Sequence, residues 1–476
     1  MSQASLGFGV IEGFYGRPWS HAARVSMLET LAALELDTYL FAPKNDPHHR
    51  SSWFKPLALE ERGKLRELFD AGRSLGVKVV YGLAPERILG GSGNVGRSSW
   101  RRRDTDHDGL ADASFGPLRD RLLELTSLGC RSFALAFDDT WTTFLPAFAT
   151  FEKGLLHARV AHRALSLVRE SAADAEVFLV PAIYHRRIED MPGGALSYLR
   201  GLATLGADIP AAWTGPNIFS RLIEPGDVLR LERAIGLPVW IWNNAITNDW
   251  LPVATGEPLG LRPLEKLSFG PPENIGPGLA RVTRGIMLNG AREPELTKVS
   301  LACLAELKSE GPRYDPSRAH ERALDRVFGP EAAPAASKVY DLTKRHPLSS
   351  PFRFEGAKLH DLVADFVDGR GGRRALERSM NDLGALEGVL EAALGDRPIF
   401  GELGPTLKRV TLMVDAARLA LERAAAVASG DALLADALGR TLRGLVASGR
   451  GLRWELGLEP LARLVGMSPS ELVKRL

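Results

Sequence analysis

The feature that most constrains this fold is an alternation that runs through the first three hundred residues. Eight short apolar, β-branched runs are separated by amphipathic segments. The runs are 6–11, 37–42, 77–83, 132–137, 176–183, 209–212, 238–242 and 285–288. Helical spacing is clear over 20–34, where Ser20 is a natural cap, and over 59–75, 115–128, 151–170 and 293–307. Strands alternating with helices imply parallel pairing, and eight such units over about 300 residues imply a (β/α)8 barrel. An open doubly wound sheet is the competing fold. It places its site at one switch point, with fewer contributing strand ends. Here most runs end in polar or aromatic groups: Lys44, Asp138 with Asp139, Tyr184, Trp213, Asn244 and Asn289. Strand ends so dispersed converge only at the C-terminal mouth of a barrel.

From about Pro316 the texture changes. Helical spacing dominates over 318–328, 337–345, 357–368, 373–395, 404–428, 431–448 and 460–475, punctuated by Gly371-Gly372, Gly395 to Pro398 and Gly430-Asp431. We therefore expect a catalytic barrel over 1–310 and an α-helical bundle over 311–476. The formal net charge of +2 excludes a strong polyelectrolyte partner, so no nucleic acid is expected. The two cysteines, Cys130 and Cys303, lie in or beside apolar runs and exclude a disulfide framework. No secretory signal or membrane-spanning run is visible, and a cytoplasmic location is expected.

The fourth run ends in two adjacent carboxylates, Asp138 and Asp139. Neighbouring residues on a regular strand point to opposite faces. Both acids reach one pocket only if the strand stops there and the backbone turns. Acids at a strand end are also found solvated or capping a helix. In one pocket they cannot both ionise easily, so one is expected to be pushed up and to serve as a general acid. Most glycoside hydrolases take their two carboxylates from separate strands. Adjacent ones suit a 2-acetamido sugar that supplies its own carbonyl oxygen as nucleophile. One acid would hold the acetamido N–H while the other protonates the leaving oxygen.

Other motifs read more plainly. Asp104 to Gly109 begins like a calcium loop, but its twelfth position is Phe115 where a bidentate Glu is needed, so we favour a surface loop. Gly90 to Gly96 lacks the Gly-Lys-Ser/Thr ending of a phosphate loop. Arg101 to Arg103 is followed directly by acids and reads as solvated. His48, His49 and His185 have no second cluster at metal-ligand spacing, so no metal is expected. Trp213, Trp240, Trp242 and Trp250 can be core or pocket wall.

Four stretches together carry a resemblance: Gly9 to Trp19 (Gly-Val-Ile-Glu-Gly-Phe-Tyr-Gly-Arg-Pro-Trp), Tyr39 to Asp46 (Tyr-Leu-Phe-Ala-Pro-Lys-Asn-Asp), Gly129 to Asp139, and Trp213 to Pro216 (Trp-Thr-Gly-Pro). The chain resembles the family 84 glycoside hydrolases, β-N-acetylglucosaminidases that include protein O-GlcNAcases, over about residues 7–307. The resemblance implies retaining exo-hydrolysis through an oxazoline, without a cofactor. Asp138 matches the acid that orients the acetamido group, and Asp139 the general acid/base. Gly13 and Lys44 match sugar-hydroxyl contacts, and Tyr184 a tyrosine that positions the acetamido group. Asn244, Asp249 and Asn289 match further sugar contacts. Trp213, within the last motif, joins them as a substrate-binding candidate.

The expected partner is a β-linked N-acetylglucosamine conjugate, a glycoprotein or glycan, and a homodimer through the helical domain is also implied. Departures fall at Asn45, where the family often has Asp, at Asn243, where some members have an acid, at Gly290, where Pro is common, and at Trp250, where Tyr is common. The family's loop after the third strand is replaced by Pro85-Glu86-Arg87 and the glycine-rich stretch. Two alternatives stand beside this reading: a hydrolase of another 2-acetamido sugar conjugate, and a degenerate barrel that binds glycans without turnover.

Overall fold

The computed structural model describes residues 6–85, 112–139, 143, 145–206, 208–249, 267–343, 365 and 373–448. The glycine-rich stretch and Asp104 to Gly109, Arg101 to Arg103, Trp141, Trp250 and the helix expected over 460–475 lie outside the described residues, as does all but one residue of that over 357–368.

Eight parallel strands close into a barrel in sequence order. They are β1 (Gly7–Glu12), β2 (Thr38–Phe41), β3 (Lys78–Leu83), β4 (Ser132–Ala136), β5 (Glu176–Val180), β6 (Ala211–Trp213), β7 (Val239–Asn243) and β8 (Gly285–Asn289). Closure is made by β1 against β8, with Phe8 opposite Ile286 and Val10 opposite Leu288. Every strand matches one of the apolar runs. Strand β6 is shortest, with three residues.

The helices are α1 (His21–Ala33), α2 (Leu59–Leu75), α3 (Asp112–Ser127), α4 (Phe151–Ser171), α5 (Gly193–Leu202), α6 (Pro225–Ile235) and α7 (Pro294–Glu310). Local chemistry explains their ends. The Ser20 hydroxyl accepts from the Ala23 N–H at 3.1 Å and starts α1. Gly76 and Gly236, both left-handed, stop α2 and α6. Helices α5 and α6 add to the helical spans expected from spacing; α6 has proline at its first turn and glycine at its end.

Cα packing divides the chain into two units, Met1–Pro263 with Pro271–His320, and Leu264–Gly270 with Glu321–Leu476. The barrel lies in the first. The second is helical: most of α8 (Pro316–Phe328), then α9 (Ala333–Thr343), α10 (Arg373–Gly384), α11 (Leu386–Leu394), α12 (Pro398–Ala428) and α13 (Ala432–Ser448). A single helix was expected over 373–395; it breaks at Gly384-Ala385, next to a residue of low helix propensity. Leu376, Met380, Leu390, Leu403, Leu407 and Val414 are buried within this unit. Among the described residues no helix is long and apolar enough to cross a membrane.

Helices α4 and α5 approach through reciprocal glycines. A Cβ on Gly154 would stand 2.0 Å from the Tyr198 carbonyl oxygen, and one on Gly201 would stand 2.2 Å from that of Phe151. Gly154→Ala gains about 1 kcal/mol of helix propensity but forces two backbones apart, and overpacking costs about 1–3 kcal/mol. We expect the clash to win, with a lower urea midpoint for the variant.

Candidate active site

Strand alternation decides which side chains meet. The barrel interior is filled by Ile11, Leu40, Ala42, Val80, Ala134, Ala136, Phe178, Val180, Ala212, Trp240, Trp242 and Met287, which recur at every second position along their strands. Continuing each series reaches Asn289 at the end of β8 and, past their strand ends, Gly13, Lys44, Asp138, Thr214 and Asn244, and for β5 Tyr184. All of these line one cavity of about 620 Å³, together with Tyr15, Asp139, Ile218, Phe219, Thr247 and Asp249. Trp213 is the exception among the expected site residues. It is out of phase with Ala212, and the structure does not bring it to this cavity. Its indole is 1% exposed, lies beside Leu199, Leu231 and Ile235 under the helices, and donates to the Arg186 carbonyl at 3.1 Å. Trp242, in phase on β7, forms cavity wall instead.

Asp139 is also out of phase, yet it lines the cavity. Its backbone is left-handed, with φ of 53°. Aspartate tolerates that conformation better than most residues. The turn sends Asp139 to the same side as Asp138, while Phe137 points outward and stacks on His157 of α4 at 3.8 Å between ring centroids.

Two cations sit on the two carboxylates. Lys44 Nζ donates to Asp138 Oδ2 and lies 3.7 Å from Asp139 Oδ2. Arg50 Nη2 donates to Asp139 Oδ2 at 3.1 Å and lies 3.7 Å from Asp138 Oδ1. Hydroxyls of Tyr15 and Tyr184 donate to Asp139 at 2.6 and 3.2 Å. Asp138 Oδ1 is buried and accepts no hydrogen bond from the described residues.

Burial pushes the Asp139 carboxyl up, but Lys44 and Arg50, with the hydrogen bonds from Tyr15 and Arg50, outweigh it and hold it at about 2. Asp139, the expected general acid, is thus held low where crowding by a second acid alone would raise it, because the two cations outweigh that crowding. The raised cavity carboxyl is Asp249, pushed up to about 6 by burial and, secondarily, by the charge of Asp139, against the Tyr15 N–H that it accepts. Burial and the neighbouring Asp139 also push the Tyr15 and Tyr184 hydroxyls up, so both stay protonated donors.

The remaining expected residues form a chain of amides. The Gly13 N–H donates to Asn289 Oδ1 at 3.1 Å, Asn289 Nδ2 to Asn244 Oδ1 at 2.9 Å, and Asn244 Nδ2 to the Ile218 carbonyl at 2.9 Å. Gly13 has no room for a side chain, since a Cβ would meet the Trp242 ring at 2.5 Å. Beneath the mouth, Glu12 is fully buried and accepts from the Trp19 N–H, from Arg24 twice and from the Tyr39 hydroxyl, which holds the loop after β1. Asn45 accepts from the Gly16 N–H at 3.0 Å, a bond that an aspartate would make equally well. Asn243 both donates to and accepts from Asn274 at 2.8 and 3.1 Å, and an acid there could not donate. Among the described residues no cluster of three His, Cys, Asp or Glu side chains could hold a metal. His49 is buried with Nδ1 on the Gly82 carbonyl, and His48 pairs with Glu61.

A closed parallel barrel with a carboxylate pair buried at its C-terminal mouth is an arrangement suited to glycoside hydrolysis. The chain belongs to the β-N-acetylglucosaminidase family, whose model matches residues 8–341. Over 299 residues it is 28% identical to the protein O-GlcNAcases of Rattus norvegicus and Mus musculus. The match takes in 62% of this chain but spans only 29% of the length of those relatives. The fold is shared with a mutant of the Thermobaculum terrenum O-GlcNAc hydrolase, at a TM-score of 0.74 and 21% identity, over 98% of this chain and 94% of that one.

Sequence reasoning missed Tyr15 and Arg50 as site residues. Tyr15 lies within the Gly9 to Trp19 motif, where only its position beside Gly16 sets it apart. Arg50 lies in a polar loop where nothing local distinguishes it from other arginines.

The raised Asp249 makes stability depend on pH. Its folded value, about 6, lies above the ordinary 3.8, so ionising it opposes folding. That cost is absent below the unfolded value and complete above the folded one. Asp249→Asn, which keeps an acceptor for the Tyr15 N–H, should raise the melting temperature at pH near 8 and leave it unchanged near pH 3. Thermal scans across that range check this.

Proposed function

We propose that the protein is a retaining exo-β-N-acetylglucosaminidase working by substrate-assisted catalysis. The observation that carries this reading is the pair Asp138 and Asp139, brought into one cavity by the left-handed turn. Asp138 offers a buried acceptor, Oδ1, to the acetamido N–H. Holding that N–H makes the acetamido carbonyl oxygen more nucleophilic. It attacks the anomeric carbon, the glycosidic C–O bond breaks, and Asp139 gives its proton to the leaving oxygen. Asp139, now ionised, takes a proton from the water that opens the oxazoline, and the second attack restores the starting configuration.

The cations beside Asp139 favour its basic form in the open cavity. A bound sugar that displaces water disfavours the charged form and moves the group toward the acid the first step needs. Gly13, Lys44, Tyr184, Asn244, Asp249 and Asn289 are the proposed sugar contacts; Trp213 is assigned no sugar contact. Membership of the family and likeness to the protein O-GlcNAcases support a β-linked N-acetylglucosamine on a protein or glycan as substrate. A catalytic barrel over 1–310, a helical bundle over 311–476, a cytoplasmic location and a homodimer through the helices belong to the same proposal.

Turnover of an aryl 2-acetamido-2-deoxy-β-glucoside tests the reading. Asp139→Ala should lower kcat/KM by about 10²–10⁴-fold on an aryl glycoside with a poor leaving group, and much less on an activated one. Asp138→Asn should impair both. Full activity of Asp139→Ala on the poor leaving group would sink the mechanism.

A further inference from the structure

We infer that Arg50 is a positioning residue that acts through Asp139, clamping that carboxylate in its out-of-phase orientation and setting the pH at which it takes up a proton. The inference rests on the acid/base role proposed for Asp139. A left-handed aspartate needs surroundings that hold it. The groups facing Asp139 are its neighbour Asp138, Lys44 and Arg50 from the loop after β2, Tyr15 from the loop after β1, Tyr184 after β5 and, through its charge, Asp249 after β7.

Of the two cations Lys44 is bound directly to Asp138, and its distance to Asp139 is 3.7 Å. Arg50 stands nearer, at 3.1 Å. It bridges Asp139 to the Tyr15 hydroxyl, to which its Nη1 donates at 2.7 Å, and its guanidinium lies 5.5 Å from the Tyr15 ring centroid. The same tyrosine donates to the same carboxylate oxygen at 2.6 Å, so the three groups close a triangle.

Arg50 is itself held in place. Its neighbour His49 is fully buried, with Nδ1 on the Gly82 carbonyl at 2.9 Å, while the His49 carbonyl accepts from the Ala84 N–H at 2.9 Å. The loop is thus tied to the end of β3 through both the ring and the carbonyl of His49. Burial and the nearby Lys44 keep His49 neutral, so it adds no charge to the cluster. Arg50 therefore works in opposite directions in the two half-reactions. It favours the ionised carboxylate that activates water and opposes the protonated carboxyl that assists departure.

Replacing Arg50 by Met keeps the stem and removes the charge. With carbon-13 labelled aspartate, the Asp139 carboxyl signal is assigned by its loss in Asp139→Asn and followed against pH. Losing a cation at this distance raises a carboxyl by about one pH unit or more. The protonated fraction near pH 4 should therefore rise about ten-fold in Arg50→Met, and Arg50→Lys should restore at least half of the shift. The alkaline limb of kcat on a poor leaving group, which reports the substrate complex, should move upward in parallel. A folded Arg50→Met protein whose Asp139 titrates as in the wild type would overturn the inference. If that variant does not fold, Arg50→Gln is titrated to the same two outcomes. Absence of turnover in the wild type would defeat the proposed function instead, and the titration would still decide the Arg50–Asp139 coupling.

Discussion

Two neighbouring carboxylates buried at the end of one strand repel each other and lose their hydration, so they must be met by opposite charge. That requirement organises the mouth of this barrel. Lys44 and Arg50 supply the charge, both from the loop after β2. Tyr15 and Tyr184 supply hydroxyl donors from the loops after β1 and β5. Those loops must in turn be fixed, and further buried polar groups fix them. Glu12 holds the first through its donors on Trp19, Arg24 and Tyr39, and His49 holds the second against β3. Removing either cation would leave a buried charge undercompensated, which is why the cluster behaves as a unit.

A second constraint is the period of two along a strand. It carries Gly13, Lys44, Asp138, Tyr184, Thr214, Asn244 and Asn289 into the cavity as continuations of interior series. The same period removes Trp213, whose neighbour Ala212 takes the inward position. Trp213 is a substrate-binding candidate in the sequence because it lies within the last motif of the resemblance, and a motif does not record which way a strand residue faces. Asp139 escapes the period through a positive φ. The chain thus spends one strained residue to obtain two acids side by side.

The electrostatic outcome differed from what two adjacent acids suggest by themselves. Asp139 is held low at about 2, while Asp249, farther along the sequence, is raised to about 6. Carboxyl groups respond to their whole surroundings, and the deciding groups here lie 89 and 94 residues from the pair in the chain. The departures at Asn45 and Asn243 become intelligible on the same terms. Each amide makes loop contacts, and at Asn243 the donated bond requires an amide.

The local and periodic features were legible in the sequence. Apolar runs, helical spacing and caps such as Ser20 depend on near neighbours, and they carried the eight-stranded barrel and the helical region after it. The ordered motifs carried the family, and the adjacency of Asp138 and Asp139 carried the chemistry to consider. The tertiary structure alone decided which strand-end residues face the cavity, the left-handed turn at Asp139, the exclusion of Trp213 and the placement of Tyr15 and Arg50 beside Asp139. These depend on contacts between residues far apart in the chain, whose strength is set by distance and burial. A linear pattern records neither.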